Sequence, residues 1–173
     1  MVKKMKRFLL LVFLLSLSLF GCSLSNTPTS KVEELLMKYQ KLDSDIKADI
    51  ETVLSDDTLT LEQKNRYRAL LEKQYKNMQY EVKEEMIDGD KAVVTVSIEV
   101  TDFKKVIKEV EGEYVDMDNY SIKEYNDTKL QRLEKTMDKV TYTLDIDVIK
   151  DENGNWYVDN LTNLDKKKIQ GMY

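Results

Sequence analysis

From residue 32 onward, apolar side chains recur at helical spacing. Val32, Leu35, Leu36, Tyr39 and Leu42 form one stripe, which Ile46, Ile50, Val53 and Leu54 continue. Ser30-Lys31-Val32-Glu33 reads as the capping box that opens this helix, with a kink expected near Asp43-Ser44. The stretch "SDDTLT" breaks the pattern, and Thr60-Leu61-Glu62-Gln63 is a second capping box. It opens a helix carrying Tyr67, Leu70, Leu71, Gln74 and Met78 on one side.

The period then falls from 3.6 to 2. Tyr80, Val82 and Met86 alternate with charged residues up to Asp88-Gly89-Asp90, a tight-turn signal, and Glu84 shares their phase. Val94, Val96, Ile98 and Val100 alternate with Thr95, Ser97, Glu99 and Thr101 in the clearest strand of the chain. Helical spacing returns from Phe103 to about Tyr114 and from Ser121 to Met137. A third alternation sets Val140, Tyr142, Leu144, Ile146 and Val148 against Thr141, Thr143, Asp145 and Asp147. "KDENGNW" turns it at Asn153-Gly154 into a strand with Trp156 and Val158, and Leu164 to Gln170 forms a last helical turn or two. The order is helices, hairpin, helical insert, hairpin. It predicts an α+β domain with N-terminal helices on an antiparallel sheet of about four strands, because short turns cannot join parallel strands.

The first 22 residues follow a different logic. Lys3, Lys4, Lys6 and Arg7 precede an apolar run from Phe8 to Phe20, interrupted by Ser16 and Ser18. Such a run is shorter than the roughly 20 residues that span a bilayer, so it reads as a signal-peptide segment. It ends in Leu19-Phe20-Gly21-Cys22, which holds the only cysteine. This ending resembles the lipobox of bacterial lipoproteins, although Phe20 departs from the small residue usual at its position. The resemblance implies cleavage before Cys22, diacylglycerol on its sulfur, and palmitate-like acyl chains that hold the mature protein on the outer face of the cytoplasmic membrane. Two acyl chains on one residue give stable anchoring.

Three segments are therefore expected: a signal peptide at 1–21, a lipidated Cys22 with a short tether over 22–29, and one domain at 30–173. Loss of four positive residues with the signal changes a net charge of −5 to about −9. That charge disfavours nucleic acid and leaves the acyl chains as the membrane attachment.

The leading helices, the two long-stranded hairpins and the close "NGNWYVDNLT" resemble the nuclear-transport-factor-2-like (cystatin-like) lipoproteins of Gram-positive bacteria. That resemblance implies a curved sheet wrapping the helices into a cone whose mouth can hold a small ligand.

Candidate chemistry is sparse. The chain has no histidine, which removes the usual base near neutral pH and the common metal ligand. No Gly-rich phosphate loop occurs, and "DENGN" lacks the spacing of a calcium loop. Within a cone, Tyr142, Trp156 and Glu84 are the candidates for facing the cavity. Asp145, Asp147 and Glu99 form a possible oxygen-rich cation site, for which a solvated sheet face is the simpler account. No cofactor or metal is expected. The leading expectation is a non-catalytic binding module for a small apolar ligand or a membrane-associated protein. A structural accessory of a membrane complex without a pocket is the alternative, ahead of an isomerase- or hydratase-like enzyme.

Overall fold

A computed structural model of the protein describes residues 26–55, 57–117 and 119–173. The expected signal peptide at 1–21 and Cys22 lie outside the described residues. Among the described residues six helices and four strands follow in the order α1 (Pro28–Lys41), α2 (Ser44–Val53), α3 (Leu61–Asn77), β1 (Gln79–Asp88), β2 (Lys91–Thr101), α4 (Phe103–Tyr114), α5 (Ile122–Lys135), β3 (Lys139–Lys150), β4 (Trp156–Val158) and α6 (Asn163–Ile169). The strands form one antiparallel sheet in the order β1-β2-β3-β4. The fold is α+β, with helices packed on one face of the sheet.

Helix α1 begins earlier than the Ser30–Glu33 pattern suggests. Thr27 is the cap: its hydroxyl accepts from the Ser30 N–H at 3.2 Å, and the Ser30 hydroxyl accepts from the Thr27 N–H at 3.1 Å. Pro28 fills the first helical position, where a missing N–H and a fixed φ suit it. Part of the expected tether is thus folded. The expected kink is a full break: Leu42 takes φ 55°, and burial of its side chain holds that left-handed conformation. At Thr60–Gln63 the second capping box forms as its sequence predicts.

One sheet face is apolar. Val94, Val96 and Ile98 from β2 and Leu144, Ile146 and Val148 from β3 pack against Val32, Leu36 and Tyr39 of α1, Ile46 and Ile50 of α2, and Leu71 and Tyr75 of α3. A second, smaller core joins Leu70 of α3 to Phe103 and Val106 of α4 and Leu130 and Leu133 of α5. Thr95, Ser97, Glu99, Thr141, Thr143, Asp145 and Asp147 occupy the other sheet face, exposed or half-buried.

The two ends of the sheet differ. Both hairpin turns lie at one end, where the Lys150 N–H donates to the Asp90 carbonyl at 2.9 Å. The α4–α5 insert leaves and re-enters at the other, where Thr101 pairs with Lys139 and the Asp102 N–H donates to the Asp138 carbonyl at 2.9 Å. With ten residue steps between them, the ends stand roughly 34 Å apart. Asn26 belongs to the turn end. Its side chain donates to the Gly154 carbonyl at 2.9 Å and accepts the Trp156 N–H at 2.8 Å.

Candidate functional site: the helical insert

The α4–α5 insert is built to be rigid. The Asp102 side chain caps α4 through the Lys105 N–H at 2.9 Å, and Ser121 caps α5 through the Glu124 N–H at 3.1 Å. Both terminal guanidinium nitrogens of Arg132 donate to the Glu113 carboxylate across the pair, at 2.6 and 2.5 Å. The insert is also fastened to α3. Arg66 makes a two-pronged pair with Glu134 at 2.7 and 2.8 Å, and buried Gln63 donates to the Lys123 carbonyl and the Asp127 carboxylate. Hydrogen bonds from Lys123 and Gln63 hold the Asp127 carboxyl below its ordinary range, and Arg66 does the same for Glu134.

At the connection between α4 and α5, three tyrosines stack. Buried Tyr114 meets Tyr120 and Tyr125 edge-on, with centroids 4.9 and 5.4 Å away, and its hydroxyl lies 2.9 Å from Thr128 Oγ1. Such pairs add roughly 0.5–1.5 kcal/mol beyond their buried area. Around this aromatic base Val115, Met117, Tyr120 and Ile122 are exposed, Val115 to 77% and Ile122 to 53%. Clustered exposed apolar side chains on a braced support are the usual character of a protein-binding surface, whereas scattered ones are ordinary.

The residues singled out from the sequence lie elsewhere and do not converge. Tyr142 faces the helix side near the insert end of the sheet. Its hydroxyl donates to the Tyr173 carbonyl at 2.8 Å, and its ring meets that of Tyr173 edge-on at 5.7 Å. Trp156 is core, with Lys150 Nζ 4.5 Å over its ring. Glu84 does not keep the phase of Tyr80 and Val82. A bulge at Lys83 shifts the register, so Glu84 pairs with Thr95 on the open face, exposed. The shift turns Glu85 towards the helices instead, where it accepts from the N–H and hydroxyl of Thr29 at 2.8 and 2.7 Å.

The cation site also dissolves. Asp145 lies opposite Thr95 and accepts its hydroxyl at 2.7 Å, whereas Glu99 lies opposite Thr141. Four residues along β3 separate these positions by about 13 Å, too far to share an ion. Among the described residues no group of three or more carboxylate or thiol side chains is placed to hold a metal ion.

Among the described residues the helix-facing side of the sheet is largely filled. Helices α1 to α3 fill it with side chains, and a cleft between Leu70, Gln74, Thr101, Phe103 and Leu133 encloses about 20 Å³, space for a water or two. Burial pushes the phenols of Tyr67 and Tyr75 up to about 12, and that of Tyr39 higher still. These groups stay neutral at physiological pH and supply no base.

The insert was not visible as a site in the sequence, where Tyr114 and Tyr125 read only as helix positions. The usable signal was the run Val115, Met117 and Tyr120, apolar in the stretch between the two predicted helices, with Ile122 just beyond it.

No family model matches the chain, and no curated protein matches it. A solved structure that resembles it belongs to a candidate lipoprotein, ycdA, of Bacillus subtilis subsp. subtilis str. 168, at 15% identity. The similarity covers 76% of this chain and 46% of that one, with a TM-score of 0.45. This chain therefore spans less than half the length of that protein, and at this level the likeness carries no argument about activity.

Proposed function

We propose that the chain is a lipid-anchored module on the outer face of a bacterial cytoplasmic membrane, and that it binds a membrane-associated partner protein without catalysis. The observation that carries this reading is the exposed apolar set Val115, Met117, Tyr120 and Ile122 on stacked tyrosines. The lipobox-like Leu19-Phe20-Gly21-Cys22 supports the anchor, and no described helix is long and apolar enough to cross a membrane. The resemblance to nuclear-transport-factor-2-like lipoproteins supplies the frame of this reading. A small apolar ligand has less support, because side chains occupy the helix-facing side of the sheet.

The test places a photo-crosslinking residue at Met117 or Ile122, and as a control at Thr141 on the open sheet face. Crosslinks to a membrane protein from the insert positions, absent from Thr141 and lost in Cys22→Ala, are the expected result. Equal crosslinking from all three positions argues against the insert as the binding surface. Normal lipidation and processing of Cys22→Ala argues against the anchor.

A further inference from the structure

The turn end of the sheet carries a second exposed apolar group. Met86 pairs with Val93, and Ile149 pairs with Tyr157, all four on the face turned away from the helices. Met86 is 55% exposed and Tyr157 46%. Nothing among the described elements covers them. The same end receives the chain from its N-terminal segment, because Asn26 is pinned by two hydrogen bonds to the β3–β4 turn. Cys22 precedes Asn26 by four residues, so their Cα atoms can stand at most about 14 Å apart.

We infer that this end of the sheet is a membrane-contact surface, with Met86, Ile149 and Tyr157 resting in the lipid interface beside the acylated residue. The inference rests on the lipidation of Cys22 proposed above. A tether of that length is shorter than the sheet, so it selects which end meets the bilayer. Tyrosine and aliphatic side chains are what an interface accepts, an apolar body with one wet end. The rim is also acidic. Asp90 and Glu152 lie in the turns and Asp151 at the start of the second, while Asp147 opposite Val93, and Lys91 opposite Ile149 and Asp88, share the open face with the apolar side chains. Contact is therefore apolar in origin, and anionic lipid opposes it at low salt. The surface holds the domain upright, with the α4–α5 insert rooted at the far end.

The test uses the full chain, produced in a host that lipidates it. Acylation consumes the only thiol, so one introduced cysteine gives a unique labelling site. An environment-sensitive fluorophore is attached at Met86→Cys, Tyr157→Cys or Met137→Cys, the last 80% exposed at the insert end. Phosphatidylcholine vesicles carrying a nitroxide-labelled lipid supply the quencher, and flotation with the vesicles reports the anchor separately. Several-fold stronger quenching at 86 and 157 than at 137 is expected, weakened by added phosphatidylglycerol at low salt. In the unsubstituted chain, Trp156 should transfer energy efficiently to a dansyl lipid. Floating protein with equal or reversed quenching overturns the inference while leaving the anchor intact. Protein that fails to float overturns the lipidation, and the membrane contact with it.

Discussion

Gln74 of α3 grips the backbone of Thr101 at the end of β2 from both sides. Its Nε2 donates to the Thr101 carbonyl at 2.9 Å, and its Oε1 accepts the Thr101 N–H at 3.0 Å. The same Nε2 donates to the Gln170 carbonyl at 3.2 Å, so one buried amide joins a helix, a strand end and the C-terminal segment. Gln74→Leu keeps the bulk and removes all three partners. Stranding buried backbone groups costs about 1–3 kcal/mol each, and a loss of about 3 kcal/mol is expected in denaturant unfolding. An unchanged midpoint would show that water replaces the amide.

Two glycines should respond to alanine in opposite directions. Gly171 has φ 72°, and an added methyl there would strike the Thr101 carbonyl oxygen and Gln74 Nε2. Gly171→Ala should destabilise by more than about 2 kcal/mol, from strain and displacement of the Gln74 contact. Gly112 lies within α4 with open space around its Cα. Gly112→Ala should stabilise by roughly 0.5–1 kcal/mol through helix propensity. Thermal melts of both variants check the pair.

The phase of β3 is tested by neighbours. Leu144→Asp places a charge on a fully buried position, which costs several kcal/mol against a total of about 5–15. Asp145→Ala removes one exposed hydrogen bond to Thr95, and should change stability by about 0.5 kcal/mol. A chelator should leave the melt of the unsubstituted protein unchanged, since the carboxylates at 99, 145 and 147 do not converge.

Stability should fall at both pH extremes. The Glu51 carboxyl is lowered by its two-pronged bond to Arg68, Glu134 by Arg66, and Asp127 chiefly by Lys123. Folded chains hold these protons more weakly than unfolded ones, so the contribution is present above about pH 4 and is lost as pH drops through the lowered values. Glu134→Gln should flatten the acid limb. Tyr67 and Tyr75 have the reverse sign. Burial raises both to about 12, so their contribution is intact below the ordinary tyrosine value and is lost as pH climbs towards 12. Tyrosinate absorbance should rise in two stages, the later one accompanying unfolding.

Much of this architecture is written in periodicity. The alternations of β2 and β3 predict which residues are buried, because burial on one face requires period 2. The cap at Thr60 was legible because only its own third residue competes for the role. At Thr27 two overlapping patterns compete, and Pro28 decides in favour of the earlier one. The bulge at Lys83 was hidden, since Lys83, Glu84 and Glu85 are all charged and hydropathy cannot order them. The Gln74 clamp and the tyrosine stack depend on partners 27 and 6 to 11 residues away, which no local pattern encodes.

The central strands β2 and β3 pair along their whole length, yet Thr101 and Lys139 are separated by the entire α4–α5 insert. Bringing distant strands together normally waits on an unfavourable loop closure. Helices that pack on each other, as α4 and α5 do, shorten the effective loop between β2 and β3. The sheet can then zip from Thr101 and Lys139 towards Lys91 and Ile149, and the turn end is sealed last. Assembly of the β2–β3 ladder would then run from the insert inward, and the rim beside Asn26 would be the final part to set.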